Sequence, residues 1–136
     1  MILNFLAFVA LAFGAKPQEI VVPPVLAPRD TVVYLQDCMN NKSCEDYKLA
    51  KLAFCESSLK PNIKVLDTNN RFSYGLFQFQ KTTFTAYGQK YKVIGTDVEP
   101  PEIDNLIYDP ELQLRIARYM MENKESYHWK ICSAKL

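Results

Sequence analysis

The stretch from Cys55 to Gln80, CESSLKPNIKVLDTNNRFSYGLFQFQ, puts a carboxylate, hydroxyls, amides and aromatic rings close together in the chain. Glu56 has the most chemical interest. Leu49, Leu52 and Ala53 precede it by seven, four and three positions, spacings that place all four on one helical face. Glu56 is therefore expected to point inward among apolar neighbours, close to a helix C-terminus where the macrodipole is negative. Both conditions disfavour the ionised form and raise a carboxyl pKa. A carboxyl that keeps its proton near neutral pH can act as a general acid toward a poor leaving group such as a sugar oxygen. The competing structural reading is a helix-end glutamate that turns outward or pairs with Lys60 or Lys64.

The next residues could form a wall for a flat, polar ligand. Gly75 would let backbone approach a ligand closely. The Gln78 amide can both donate and accept hydrogen bonds. Tyr74, Phe77 and Phe79 offer apolar surface of the kind found in aromatic-lined grooves, although alternation implies that Leu76 and one phenylalanine belong to the core. Asp67 is the only other carboxylate in this stretch. It is flanked by turn formers, and its pattern favours a turn role over a catalytic one. Ser57 and Ser58 serve equally well as helix-terminating residues.

These side chains need elements to position them. A first helix is expected from Asp30 or Thr31 through VVYLQDCM. Ser43 is a candidate N-cap for a second helix, with Asp46 three positions on in the manner of a capping box. From Leu59 to Arg71 the turn formers Pro61, Asn62, Asp67, Asn69 and Asn70 predict a loop. SYGLFQFQ alternates loosely, as a short strand or extended wall would. Thr82 or Thr83 can begin another helix, and a long irregular connection containing Pro100 and Pro101 is expected after it. Asp109 followed by Pro110 marks a clear helix start. Leu112, Ile116, Tyr119 and Met120 form the apolar stripe of that helix. Trp129 and Ile131 are expected to pack a short C-terminal helix.

With 136 residues and a formal charge of +1, the chain suits one domain and lacks the basic stripe that a nucleic-acid binder needs. The start, MILNFLAFVALAFGA, is apolar, too short to span a bilayer comfortably, and ends with Ala12 and Gly14 spaced like a signal-peptidase site. No Lys or Arg precedes the run, which leaves an uncleaved anchor open. Residues 1–15 thus read as a signal peptide, 16–30 as a proline-rich linker and 31–136 as the folded domain. Four cysteines in an exported chain of this size favour disulfides. Of three possible pairings, Cys38–Cys44 and Cys55–Cys132 are preferred: the first closes a short local loop and the second ties the Glu56 region to the tail. With no C-x-x-C pair and a single histidine, His128, no metal or other cofactor is implied.

Taken together, ESS followed by a polar loop and SYGLFQFQ resembles the lysozyme-like lytic transglycosylases that cleave peptidoglycan, and more distantly the goose-type lysozymes. The likeness spans Tyr47 to Tyr91 and is weaker in the helix starting at Asp109. It implies a mainly α, lysozyme-like (α+β) single domain with a short extended or β segment at the groove. It also implies that Glu56 is a single catalytic acid/base, that the hydroxyl of Ser73 can orient it, and that Gln78 with the backbone from Gly75 to Phe77 holds the glycan. The family's later Ala-Tyr-Asn-x-Gly-type motif is absent. Tyr127 is the better substitute for its tyrosine than Tyr119, and His128 beside Trp129 reads as a packing or surface residue. The expected partner is a peptidoglycan glycan strand, the expected state a monomer, and a role in secretion or phage assembly stays open. A lysozyme-type hydrolase and a non-catalytic glycan-binding module are the alternatives to a transglycosylase.

Overall fold

The structure, a computed structural model, describes residues 28–136. The signal peptide and most of the proline-rich linker lie outside the described residues.

Six helices and a small antiparallel sheet make up the domain. Helix α1 (Pro28–Met39) starts two residues before Asp30, with a proline at its first position, where a missing N–H costs nothing. Helix α2 (Tyr47–Ser57) is capped by Asp46 rather than Ser43. Ser43 instead donates its hydroxyl to Asn41 Oδ1 at 2.6 Å. The Asp46 carboxylate makes no cap bond because it accepts Arg118 Nε at 3.1 Å and Nη2 at 2.7 Å, and Tyr34 Oη at 2.8 Å. Ser58, at φ 55°, ends α2 in the left-handed region and donates its N–H to Phe54 O.

The segment expected to be loop contains strand β1 (Lys64–Leu66), which pairs with β2 (Phe72–Tyr74); β2 in turn pairs with β3 (Phe79–Gln80). SYGLFQFQ is thus the end of one strand, a tight turn over Gly75–Gln78, and the next strand. Helix α3 (Lys81–Lys90) comes directly after it. The connection beyond α3 is not wholly irregular, since Pro100 and Pro101 open helix α4 (Pro100–Leu106), where Glu102 accepts the Glu99 N–H at 3.1 Å. Those prolines start a helix instead of preventing one.

Helix α5 (Pro110–Glu122) begins as the sequence predicts, with Asp109 accepting the N–H groups of Glu111 and Leu112. Its buried stripe includes Leu114, Ile116, Ala117 and Met120, while Tyr119 stays exposed. A 3₁₀ turn (Ser126–Trp129) and the short helix α6 (Lys130–Ser133) close the chain. Trp129 is buried, but Ile131 is 76% exposed and stays outside the core. Cys38–Cys44 and Cys55–Cys132 are the disulfides, and the second fastens α6 to the last turn of α2.

Candidate active site

The last turn of α2, the sheet and the C-terminal tail enclose a cleft of about 540 Å³. Glu56 lines it from the helix. Leu49, Leu52 and Ala53 are buried on the same face, as the helical spacing requires. The Ser57 hydroxyl, buried beside Glu56 in sequence, bonds Ala53 O at 2.9 Å and finishes the helix rather than meeting a ligand. Burial, and after it the nearby charge of Asp67, pushes the Glu56 carboxyl up to about 6. Lys60 and Lys64 do not pair with it: the ion pairs among the described residues are Lys81–Asp104, Lys90–Glu125 and Arg118–Asp46.

The sheet supplies the second wall. Val65 lies opposite Ser73 in the β1–β2 register, and Asp67 is two residues beyond Val65. Alternation along a strand puts these three side chains on one face, and all three line the cleft. Ser73 Oγ donates to Asp67 Oδ2, not to Glu56. Gln80 Nε2 donates to the same Asp67 oxygen at 2.9 Å. Asp67 is therefore a held carboxylate inside the cleft, not merely a turn former.

Residues 75–78 divide by role. Phe77 is fully buried and Tyr74 nearly so, with ring contacts to Trp129 and Tyr108 respectively; neither lines the cleft. Gly75 is needed for a different neighbour than a sugar. At φ +75° it sits under the Gln113 amide, and an added Cβ would lie 2.9 Å from Gln113 Cδ. Gln113 accepts the Phe77 N–H at 2.9 Å and donates to Tyr74 O and Ile107 O. It is the buried amide that holds the turn, and nothing in its local pattern singled it out within the α5 stripe. Gln78 does line the cleft, with its Nε2 anchored on Gly75 O at 2.8 Å.

The tail forms the remaining wall. Trp129 Nε1 donates to Phe77 O at 2.8 Å and locks the tail to the turn. Tyr127 and His128 both line the cleft. Tyr87 Oη connects them, 3.2 Å from Tyr127 Oη and 2.9 Å from His128 Nε2. Burial lowers the His128 pKa from its ordinary value. Of the residues anticipated at the site, Glu56, Ser73, Gln78 and Tyr127 share the cleft, and Tyr74, Gly75 and Phe77 support it from behind.

Residues 34–134, which carry every wall of this cleft, match the family described as Transglycosylase SLT domain. The chain belongs to that family. No curated protein and no solved structure matched the chain. The helix-rich SLT domain with its three-stranded sheet agrees with a lysozyme-like fold. SLT membership implies lytic transglycosylase action on peptidoglycan and binding of that substrate. Two disulfides and a domain that acts on peptidoglycan place it outside the cytoplasm.

Proposed function

We propose that this SLT domain cleaves the β-1,4 bond between N-acetylmuramic acid and N-acetylglucosamine with Glu56 as acid and then base, forming a 1,6-anhydro product. The observation that carries this reading is the state of Glu56: half-buried in the cleft, in no ion pair among the described residues, and raised to about 6. Such a carboxyl can give its proton to the bridging oxygen as the bond to C1 breaks. The substrate's own N-acetyl oxygen then stabilises the cationic C1. Glu56, now ionised, takes the proton of the muramic C6 hydroxyl, whose oxygen closes onto C1. The proton returns to Glu56, and no water is consumed.

Gln78 keeps its carbonyl oxygen for an N-acetyl N–H, since its amide nitrogen is already anchored on Gly75. Tyr127, 58% exposed at the rim, stands in for the tyrosine of the absent motif. Residues 1–15 act as the export signal and the residues from 16 to the start of α1 as a tether to a monomeric domain.

Incubating the protein with purified peptidoglycan and weighing the released muropeptides tests the reading. Anhydro-muramic ends are expected, and Glu56→Gln should lower their formation by at least about 100-fold while binding of glycan persists. Full turnover in that variant would overturn the mechanism, and glycan capture by the native protein without any product would mark a binding module.

A further inference from the structure

We propose that His128 contacts the substrate in this cleft, as a neutral imidazole whose Nδ1–H donates to an acceptor oxygen of the bound glycan. Tyr87 is the positioning residue that fixes the ring and its tautomer through Nε2. The inference rests on the reading of the cleft as a glycan site, and its test separates it from the role of Glu56.

The chain is fastened on both sides of this ring. Trp129 Nε1 donates to Phe77 O at 2.8 Å, and the His128 N–H donates to Glu125 O at 3.4 Å. The ring lines the cleft edge-on to Tyr87, with centroids 5.0 Å apart. Its Nε2 lies 2.9 Å from Tyr87 Oη, whereas Nδ1 has no hydrogen-bond partner among the described residues. Tyr87 is itself clamped. Its ring stacks on Tyr91 at 6.2 Å, and Tyr91 stacks on Tyr119 at 5.1 Å. The Tyr91 hydroxyl and Lys90 Nζ, the latter at 2.9 Å, both donate to Oε1 of the buried Glu125. A tyrosine kept only for packing needs its ring, not a hydroxyl set between two polar groups of the cleft wall.

Burial lowers the His128 pKa against the pull of the Glu125 charge, so near neutral pH the ring carries one N–H. The Tyr127 hydroxyl, then burial and Glu125, keep the proton on the Tyr87 phenol. A phenol oxygen, with its lone pair drawn into the ring, is a better donor than acceptor, and a bare imidazole nitrogen accepts strongly. Tyr87 therefore donates to Nε2 at 2.9 Å rather than to Tyr127 at 3.2 Å, and Tyr127 donates to Tyr87. With Nε2 accepting, the ring proton stays on Nδ1. A free donor is what the sheet side of the cleft lacks. Ser73 Oγ and Gln80 Nε2 are spent on Asp67 and Asn69, and Gln78 Nε2 is anchored on Gly75 O. The Nδ1–H group thus meets glycan oxygens from the tail side.

His128 is the single histidine of the chain, so NMR of the tag-free full chain, isotope-labelled at the histidine ring nitrogens, reads this ring alone. Near neutral pH, Nδ1 should carry the proton and Nε2 should be bare, the reverse of free histidine in water. Tyr87→Phe, which keeps the stacked ring and removes the hydroxyl, should return the ring to the Nε2–H form. Purified glycan strands added to Glu56→Gln, which binds without cleaving, should shift the Nδ1 signal. In that background His128→Ala should weaken glycan binding about 10-fold. His128→Asn, whose amide nitrogen falls where Nδ1 was, should restore most of the affinity. His128→Gln, whose amide falls where Nε2 was, should not, a distinction that a packing role would not make. A native ring protonated on Nε2, an Nδ1 signal indifferent to glycan, affinity unchanged in His128→Ala, or Asn and Gln behaving alike would overturn the proposal. No cleavage by the native protein, with Nδ1–H and its response to glycan intact, would remove the Glu56 mechanism and leave the His128 contact standing.

Discussion

Burying Glu56 on the last turn of α2 has a cost that changes with pH. Its folded-state pKa of about 6 lies above the ordinary value of 4.5, so the folded protein holds the proton more tightly than the unfolded chain. Below about 4.5 the group is protonated in both states and its contribution to stability is complete; that contribution is lost as pH rises through about 6. Glu56→Gln removes the ionisation. Thermal melts should therefore show the variant level with the native protein in acid and more stable above neutrality, as happens where function opposes stability. The same titration sets activity. Turnover should decline as pH rises past about 6. Asp67→Asn removes the charge that helps keep the proton on, so the declining limb should move to lower pH; an unmoved limb would show that Asp67 does not act on Glu56. The inward aim of Glu56 was legible in its i−3, i−4 and i−7 neighbours. The seat of Asp67 in the cleft was not, because turn chemistry and a seat in a cleft look alike until the strand beside it is known.

The hairpin and its turn act as one element whose integrity depends on α5. Gln113 satisfies the buried Phe77 N–H and Tyr74 carbonyl of the turn and the Ile107 carbonyl at the end of α4, groups that would each cost about 1–3 kcal/mol if left unpaired. Gly75→Ala would both strain a left-handed residue and drive its methyl into that amide. A loss of about 2–4 kcal/mol is expected in chemical denaturation, with Glu56 chemistry failing through the displaced Gln78. A loss below about 0.5 kcal/mol would show that the amide can move aside. Sequence pattern foresaw a glycine-dependent close approach but assigned it to a sugar, since the partner lies 38 positions away in another helix. It also read Pro100–Pro101 as a break, because prolines at the first helical positions and prolines in a loop differ only in the residues after them. Asp109–Pro110, with a strong stripe behind it, was unambiguous.

At the scale of the whole molecule, two long-range ties fasten the two ends of α2, one to α1 and α5 and the other to α6. The Asp46 carboxylate joins Tyr34 of α1 to Arg118 of α5 at the start of α2. Desolvation raises its pKa, but the hydrogen bonds from Arg118 and Tyr34 and the Arg118 charge outweigh it, so the carboxyl ends below its ordinary value. The Cys55–Cys132 bond spans 77 residues, and constraining so long a loop is worth up to about 4 kcal/mol. Replacing both cysteines with serine should lower stability by a few kcal/mol and slow turnover, because the tail carrying Tyr127, His128 and Trp129 then loses its covalent tie to the last turn of α2 and is held by packing and hydrogen bonds such as Trp129 to Phe77 and Lys51 to Lys135. Unchanged activity at unchanged stability would show that the tail needs no tether. By itself the sequence determined what neighbours along the chain can impose: the inward face of α2, the cap of α5, the helix-rich class and the motif pair around Glu56. Only the tertiary structure decided that Ser73 serves Asp67, that Gly75 makes room for Gln113 and that Phe77 is core, because each depends on a partner brought in by chain topology, which helical and strand periodicity do not encode.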